Sequence, residues 1–354
     1  MESNILQSLL SHENATRKRA EESLLAERTS NPANLLNTLI EGMKSTADQN
    51  IAQLAALMYK KLFLDDSRAD QLTSEDLELM KSAVMSTMDF SQNITLLKRK
   101  GDIISKIFAK QNRSEELLKH LVDWASNESS NGRQFAMYLF EVVSDCHLSS
   151  DQLTAFKESF MAIFTKSLTD KEVAVRVAAL KATISFLTSI EDTDIVMGFQ
   201  VIIPQILNTV VESLKENEDQ GRHALESMQD LTSACPEIWK QATPQLVNVI
   251  SQVMMQKGFE NGTRSAATEV ILSLSREMPA SLRKVDETKA MFLPALVQML
   301  TEVEDDMDTW AETTDEKEAE VGNTDPHNVA INAINCISTD LGEKTVLIPF
   351  SGLI

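Results

Sequence analysis

The sequence predicts an all-α protein in which helix pairs stack into a right-handed superhelix. Glycine and proline are scarce, at 10 and 8 in 354 residues, and aromatic residues make up only 5%. Alanine, leucine and methionine, which favour helices over strands, are abundant. The hydrophobic content of 43% is enough to form a core. Amphipathic segments recur about every 40 residues, which is typical of a helical-repeat protein.

The recurring element is a polar or basic residue followed three positions later by a small residue, near the start of an amphipathic segment. Around Arg176 and Ala179, the apolar residues advance by three or four positions and therefore share one helix face. A small residue beside that face allows a neighbouring helix to approach closely. The other copies are Arg17/Ala20, Gln53/Ala56, Lys98/Gly101, Arg133/Ala136 and Arg264/Ala267, with weaker copies at Ala224/Ser227 and Ala330/Ala333.

A second recurrence involves proline. Inside apolar runs that otherwise have a helical pattern lie Pro204, Pro244, Pro294 and Pro349. A proline in a helix interior removes one backbone hydrogen bond and kinks the helix. The pattern therefore predicts that the first helix of several pairs is kinked.

A unit of about 40 residues, with a kinked first helix and a second helix that opens on a basic and a small residue, is typical of the HEAT repeat. Such pairs cannot bury their apolar faces alone and stack into a solenoid. We expect a single solenoid over residues 1–354, with one helix of each pair on its inner surface and one on its outer surface. The eight predicted pairs are 4–28, 32–65, 73–111, 114–146, 149–190, 194–235, 237–279 and 281–341, followed by one helix at 343–354.

Composition and motifs argue against several functions. The net charge of −20 disfavours direct nucleic-acid binding, which needs a basic surface. No apolar run approaches the roughly 18 residues that span a bilayer. The cysteines lack the paired spacing of a zinc site, and the segment 342–345 imitates a phosphate loop without its upstream glycine. We predict no enzymatic activity, cofactor, metal site or membrane association.

Acidic residues concentrate in one insertion, residues 302–325, between the two helices of the eighth pair. Residues 302–320 hold ten carboxylates and one lysine. Such runs are usually solvated surface, but a tryptophan among them offers an anchor of the kind found at protein interfaces. We therefore predict a docking site for a basic protein, formed by Glu304, Asp305, Asp306, Asp308, Trp310 and Glu312.

Basic residues open the second helices of the first three pairs. Each cluster alone fits ordinary surface charge, but stacking would align the clusters in one stripe. Residues 1–120 carry 16 basic and 17 acidic side chains, whereas residues 301–354 carry 2 and 13. The three clusters are Arg17, Lys18 and Arg19; Lys60 and Lys61; and Lys98, Arg99 and Lys100.

Two segments resemble the importin-β (karyopherin-β) family. Residues 9–24, LLSHENATRKRAEESL, are similar to the family's first repeat, which has the pattern LLS-x-x-N-x-x-R-x-x-AE. From Ala280, ASLRKVDETKAMFLPALVQMLTEVEDDMDTWAETTDEKE and then LGEKTVLIP resemble the karyopherin beta-3 (importin-5) branch. In that branch a leucine-rich helix runs into an acidic stretch with a D-x-W-A motif.

The resemblance implies a nuclear transport receptor that shuttles between cytoplasm and nucleus and releases import cargo when Ran-GTP binds its amino-terminal repeats. It implies that the acidic loop contacts Ran or basic cargo such as ribosomal proteins or histones. It also implies that phenylalanine-glycine (FG) nucleoporins bind between outer helices over roughly 149–257. The residues implied to meet Ran on the inner helices are Arg17, Lys18, Lys60, Lys61, Lys98 and Arg99.

Two further expectations concern the whole molecule. Because the chain ends inside a helix without a polar capping repeat, we expect an amino-terminal fragment of a longer receptor, and a monomer.

The alternative function is a non-transport HEAT-repeat scaffold for protein assembly. Such scaffolds tend to have more uniform repeats, and they would not need an acidic insertion that contains Trp310.

Overall fold

The computed structural model describes residues 3–45, 48–65, 67–146, 148–303 and 325–353, and within these ranges the regular elements are all helices. The helices are numbered in chain order over the described residues. They fall into two compact units, residues 1–149 and residues 150–354.

The first unit, residues 1–149, contains four helix pairs. Its helices are α1 (Ser3–Leu9), α2 (Asn14–Ser30), α3 (Pro32–Met43), α4 (Gln49–Tyr59), α5 (Ser74–Met85), α6 (Ile94–Lys110), α7 (Ser114–Trp124) and α8 (Ser130–Cys146). The π-helical segment Lys60–Leu64 extends α4, and the 3-10 segment Ser67–Gln71 follows it. The second helices α4, α6 and α8 pack against one another in that order.

The second unit, residues 150–354, continues the same pattern. Its helices are α9 (Ser150–Ala155), α10 (Lys157–Ser167), α11 (Val173–Thr188), α12 (Thr193–Gly198), α13 (Ile203–Glu216), α14 (Glu218–Ala234), α15 (Thr243–Met255), α16 (Asn261–Glu277), α17 (Pro279–Lys284), α18 (Leu293–Leu300), α19 (Pro326–Leu341) and α20 (Leu347–Ser351). The second helices α11, α14, α16 and α19 pack in succession. The predicted all-α, paired-helix architecture is confirmed.

The small residues of the recurring element are buried where neighbouring helices meet. Ala136 and Ala179 are fully buried. At Gly101, an added Cβ would lie 2.7 Å from a ring carbon of Phe135 and 2.9 Å from Leu139. Only a glycine therefore allows α6 to approach α8 this closely.

Three arginines of the same element share a structural role. Arg17, Arg133 and Arg176 each donate from Nη1 to the carbonyl oxygen six residues earlier, at 2.7–2.9 Å. Each also donates to the carbonyl oxygen five residues earlier. Because those carbonyls belong to the turn between the two helices of a pair, the guanidinium fixes that turn.

The prolines of the predicted kinks lie where the helix type changes or where an α-helix begins. Pro204, Pro244 and Pro294 each occupy the first or second position of an α-helix. A 3-10 segment (Phe199–Ile202) directly precedes α13, and a π-helical segment (Thr288–Phe292) directly precedes α18. Pro244 costs no intrahelical hydrogen bond, because the first backbone N–H groups of a helix have no partner within it. Pro204 and Pro294 lie inside the longer helices Thr193–Glu216 and Thr288–Leu300, so kinks at these two positions stay a prediction.

One described segment is apolar enough to resemble a membrane span. Thr193–Glu216 reaches a mean hydropathy of 1.5 over 18 residues, and half of that window is buried inside the protein. Length and composition alone do not separate a membrane span from a buried core helix. The 3-10 segment inside it and its burial fit the first helix of the sixth pair.

Candidate partner-binding surfaces

Two of the predicted basic residues, Lys60 and Lys98, are connected through Asp102 and Tyr138, which the sequence pattern did not indicate. Lys60 Nζ lies 3.5 Å from Asp102 Oδ2, which links the π-helical extension of α4 to α6. Tyr138 on α8 donates its hydroxyl to Asp102 Oδ1 at 2.5 Å. Lys98 Nζ lies 5.0 Å from the centroid of the Tyr138 ring, within range of a cation–π interaction. These four half-buried side chains, here called the polar cluster, join three consecutive second helices.

The remaining predicted basic residues lie in different environments. Lys18 and Lys61 are exposed, whereas Arg17 is half-buried and fixes the turn of the first pair. Arg99 is also half-buried, and its buried Nε has no hydrogen-bond partner among the described residues. The structure therefore does not gather all six predicted residues into the polar cluster.

Lys100 belongs to the core of the first unit and not to a basic stripe. It is fully buried, and Nζ donates to Thr87 O and Gln92 Oε1, both at 2.6 Å. Burial lowers the pKa of Lys100 to about 8, and the nearby Asp89 carboxylate partly opposes this effect. Positions 98 and 100 point in different directions because two helix steps turn the side chain by about 200°.

Two further lysines of α6 pair with carboxylates that follow α4. Lys106 forms an ion pair with Asp65, and Lys110 Nζ lies 3.1 Å from Asp70. Together with Lys60–Asp102, they form three ion pairs across the contact between the second and third helix pairs, here called the ion-pair ladder. The sequence pattern did not single out Lys106 or Lys110, because their partners lie about 40 residues earlier.

A groove separates the first helices of the fifth and sixth pairs in the second unit. Its volume is about 420 Å³, within the range of ligand-binding pockets. Met161 on α10 and the buried Ile195 and Phe199 form its apolar lining. Gly198 is exposed at its surface, and a Cβ built there would meet no atom within 4 Å. The charged side chains along the groove are Lys157, Glu158, Asp192 and Asp194.

The predicted acidic docking site, comprising Glu304, Asp305, Asp306, Asp308, Trp310 and Glu312, lies outside the described residues. The start of the acidic run is described. Glu302 accepts a two-point hydrogen bond from Arg264, at 2.6 and 2.9 Å. Arg264 is only 2% exposed and also donates from Nε to Met254 O at 2.7 Å. Glu302 is therefore paired within the fold and does not act as a solvated member of the acidic run.

The chain just after the acidic insertion is also attached to the second unit. His327 Nδ1 lies 2.6 Å from Leu300 O, so α19 begins against the end of α18.

Among the described residues, no group of three or more His, Cys, Asp or Glu side chains is arranged to hold a metal ion.

Paired helices, buried small residues and arginine-fixed turns define a protein of the HEAT-type helical-repeat class. Comparison with known proteins narrows that class. A family model described as "IPO5-like, TPR repeats" matches residues 92–250, and a model described as "Importin repeat" matches residues 256–348. Both models describe importin repeats, so over these residues the chain is similar to the importin-β (karyopherin-β) family.

The relatives support the beta-3 branch of that family. The importin subunit beta-3 of Saccharomyces cerevisiae is 23% identical over 98% of this chain, which covers 32% of that protein. The crystal structure of Kap121p superposes with a TM-score of 0.81 and 23% identity, covering 99% of this chain and 34% of Kap121p. Kap121p bound to RanGTP and Kap121p bound to Nup53p each give a TM-score of 0.78, with 22% identity over 98% of this chain and 33% of theirs.

These comparisons bear out the predicted family and fold. The chain spans about a third of the length of the curated relative that it matches. That relative is an importin subunit and not an enzyme. The assignment of individual residues to Ran, nucleoporins or cargo stays a prediction.

Proposed function

We propose that this chain acts in nuclear transport by binding Ran-GTP through the second helices of its first unit. The observation that carries the proposal is the polar cluster, in which Lys60, Lys98 and Tyr138 come from three consecutive second helices. Asp102 holds Lys60 and Tyr138 in place, so part of the ordering cost of binding is met before a partner arrives. A partly desolvated tyrosine is typical of interface anchors, and the two lysines would supply electrostatic complementarity to an acidic partner. The likeness to Kap121p, which has been crystallised with RanGTP, supports this choice.

Ran binding would act on cargo through linkage between two sites. If Ran-GTP and cargo each favour a different arrangement of the helix pairs, binding of one lowers the affinity for the other by the same factor. In a repeat protein, small shifts between neighbouring pairs can supply such a change. No covalent chemistry is needed, and the receptor would shuttle between cytoplasm and nucleus.

The groove between α10 and α12 is our candidate for FG nucleoporin binding. It lies between the first helices of two neighbouring pairs, inside the range 149–257 that the family resemblance indicated. Its apolar lining of Met161, Ile195 and Phe199 suits a phenylalanine side chain. Because Gly198 has no side chain, the groove remains open at that point.

Cargo recognition is assigned to the acidic insertion. Its carboxylates from Glu304 onward would attract basic proteins such as ribosomal proteins or histones, with Trp310 as the packing anchor. Neighbouring Glu302 would not contribute, because Arg264 already neutralises it.

Binding to Ran loaded with GTP or GDP tests the proposal. We expect the wild-type chain to bind Ran-GTP and not Ran-GDP, and Lys60→Ala/Lys98→Ala to weaken that binding by about three- to tenfold at low salt, since exposed charge contacts are individually modest. Lys44→Ala/Lys215→Ala, which removes the same charge elsewhere, is the matched control and should bind like wild type. Equal or absent binding of both nucleotide states by the folded chain would favour the non-transport scaffold.

A further inference from the structure

The ion-pair ladder places three residues of α6 on one face of that helix. Asp102, Lys106 and Lys110 follow one another at four-residue spacing, which keeps them on the same side. Each faces an oppositely charged residue that follows α4 in the chain: Lys60, Asp65 and Asp70. The polar cluster and the two outer ion pairs therefore form one continuous charged surface of the first unit.

The two outer pairs of the ladder are accessible to solvent. The exposed fractions of the side chains are 35% for Lys106 and 40% for Asp65, and 23% for Lys110 and 83% for Asp70. Ion pairs this exposed contribute little to folding stability, because water solvates both charges well. A carboxylate of another protein could replace Asp65 or Asp70 at small cost.

The inner pair of the ladder differs from the outer two. Asp102 accepts a second hydrogen bond from the Tyr138 hydroxyl at 2.5 Å and is only 28% exposed. Two partners on two different helices hold this carboxylate in place. Asp102 is therefore suited to positioning its neighbours, whereas Asp65 and Asp70 are suited to being displaced.

We propose that Lys106 and Lys110 extend the docking surface along α6 for an acidic protein face, and that Asp65 and Asp70 are internal competitors for those lysines. This inference rests on the proposed Ran-GTP site, and the partner to which it commits is a face of Ran-GTP that presents carboxylates to these two lysines. In the unbound chain the two aspartates neutralise the lysines. On binding, partner carboxylates take their place, so the internal carboxylates reduce the affinity for any weakly acidic surface.

Two double variants with opposite expected effects test the inference. Removing the internal competitors with Asp65→Asn/Asp70→Asn should tighten binding to Ran-GTP by about two- to fivefold and increase its dependence on salt. Removing the docking charges with Lys106→Ala/Lys110→Ala should weaken binding by a similar factor and reduce that dependence. Lys44→Ala, which removes a lysine paired with Glu41 outside the ladder, should change neither quantity.

A purely structural ladder gives a different result, because either double variant then breaks the same pairs. Both would shift the affinity in the same direction, or neither would shift it, and this would overturn the inference. Thermal unfolding of each variant confirms that the chain remains folded.

A second probe separates failure of the inference from failure of the proposed function. A fluorescently labelled decaglutamate peptide presents acidic side chains without any feature of Ran. If the two double variants shift its binding in opposite directions while Ran-GTP does not bind, the docking surface for an acidic partner stands and the Ran assignment fails. If Ran-GTP binds wild type but the opposite shifts are absent with both probes, the inference fails and the Ran assignment stands.

Discussion

Arg264 and Glu302 form a buried two-point ion pair at the point where the second unit leads into the acidic insertion. The guanidinium lies 2.6 and 2.9 Å from the two carboxylate oxygens, and Arg264 donates a third hydrogen bond to Met254 O. The side chain of Arg264 is 2% exposed, that of Glu302 17%. The pair fixes the chain where it leaves the helix stack, since Glu302 lies two residues after the end of α18.

Glu302→Ala should strongly destabilise the second unit. It leaves the buried Arg264 charge without its carboxylate, and breaking a buried pair in this way costs about 3 kcal/mol. Urea unfolding followed by circular dichroism measures the change in the free energy of unfolding. Glu343→Ala, which removes an exposed carboxylate, is the control and should change stability by less than about 0.5 kcal/mol. Equal stability of the two variants would show that the pair is not important for folding.

The Arg264–Glu302 pair should also make stability depend on acid pH. Hydrogen bonding from Arg264 holds the pKa of Glu302 below its ordinary value. The unfolded state therefore takes up a proton at a higher pH than the folded state, so the stabilisation is present above about pH 4.3 and lost as pH falls through the folded pKa. Glu302→Gln should lack this contribution. Thermal unfolding of both proteins between pH 3 and 7 would give parallel curves if the pair had no such effect.

Lys100 should affect stability in the alkaline range. Because burial lowers its pKa to about 8, the unfolded state holds the proton more tightly between about pH 8 and pH 10.4. Wild-type stability should therefore rise with pH in this window relative to Lys100→Met, which has no ionisable group. Chemical unfolding at several pH values measures this difference, with Lys44→Met as a control for an exposed lysine. A constant difference between wild type and Lys100→Met would contradict the shifted pKa.

Gly101 and Gly198 should respond oppositely to the same substitution. Gly101→Ala places a Cβ against Phe135 and Leu139, and overpacking of this kind costs about 1–3 kcal/mol. At Gly198 the added methyl meets no neighbour, so Gly198→Ala should stabilise the chain by up to about 1 kcal/mol through helix propensity. Thermal unfolding tests both variants. Equal effects would mean that α6 and α8 do not need a glycine at their contact.

Filling the groove should block FG binding without unfolding the chain. Gly198→Leu projects a side chain from the exposed edge of α12 toward a groove lined by Ile195 and Phe199. We expect at least about fivefold weaker binding of a labelled FG-repeat peptide, because the pocket volume is lost to the ligand. Gly258→Leu places the same side chain outside the groove and should bind like wild type. Undiminished binding by Gly198→Leu would remove the groove as the nucleoporin site.

Local patterns predicted much of the fold. The recurring basic and small residues predicted the positions of the second helices. Helical periodicity and the small residue at a close helix contact are both visible within a few residues of the sequence. The same patterns did not predict the 3-10 and π-helical segments before Pro204 and Pro294, because a change of helix type just before a proline has no distinct sequence signal. The polar cluster was only half predicted. Lys60 and Lys98 stood out as charges, but Asp102 and Tyr138 gain their roles from packing between pairs about 40 residues apart.

The central claim is that the second helices of the first unit form the Ran-GTP surface. Hydrogen–deuterium exchange of the chain with and without Ran-GTP tests it most directly. We predict that Ran-GTP slows exchange in α6 over Lys98–Lys110, in the segment Lys60–Leu64 and in α8 around Tyr138, with little change in the first helices α5 and α7. Protection of α5 and α7 without protection of α6, or no protection in the first unit despite binding, would contradict the claim.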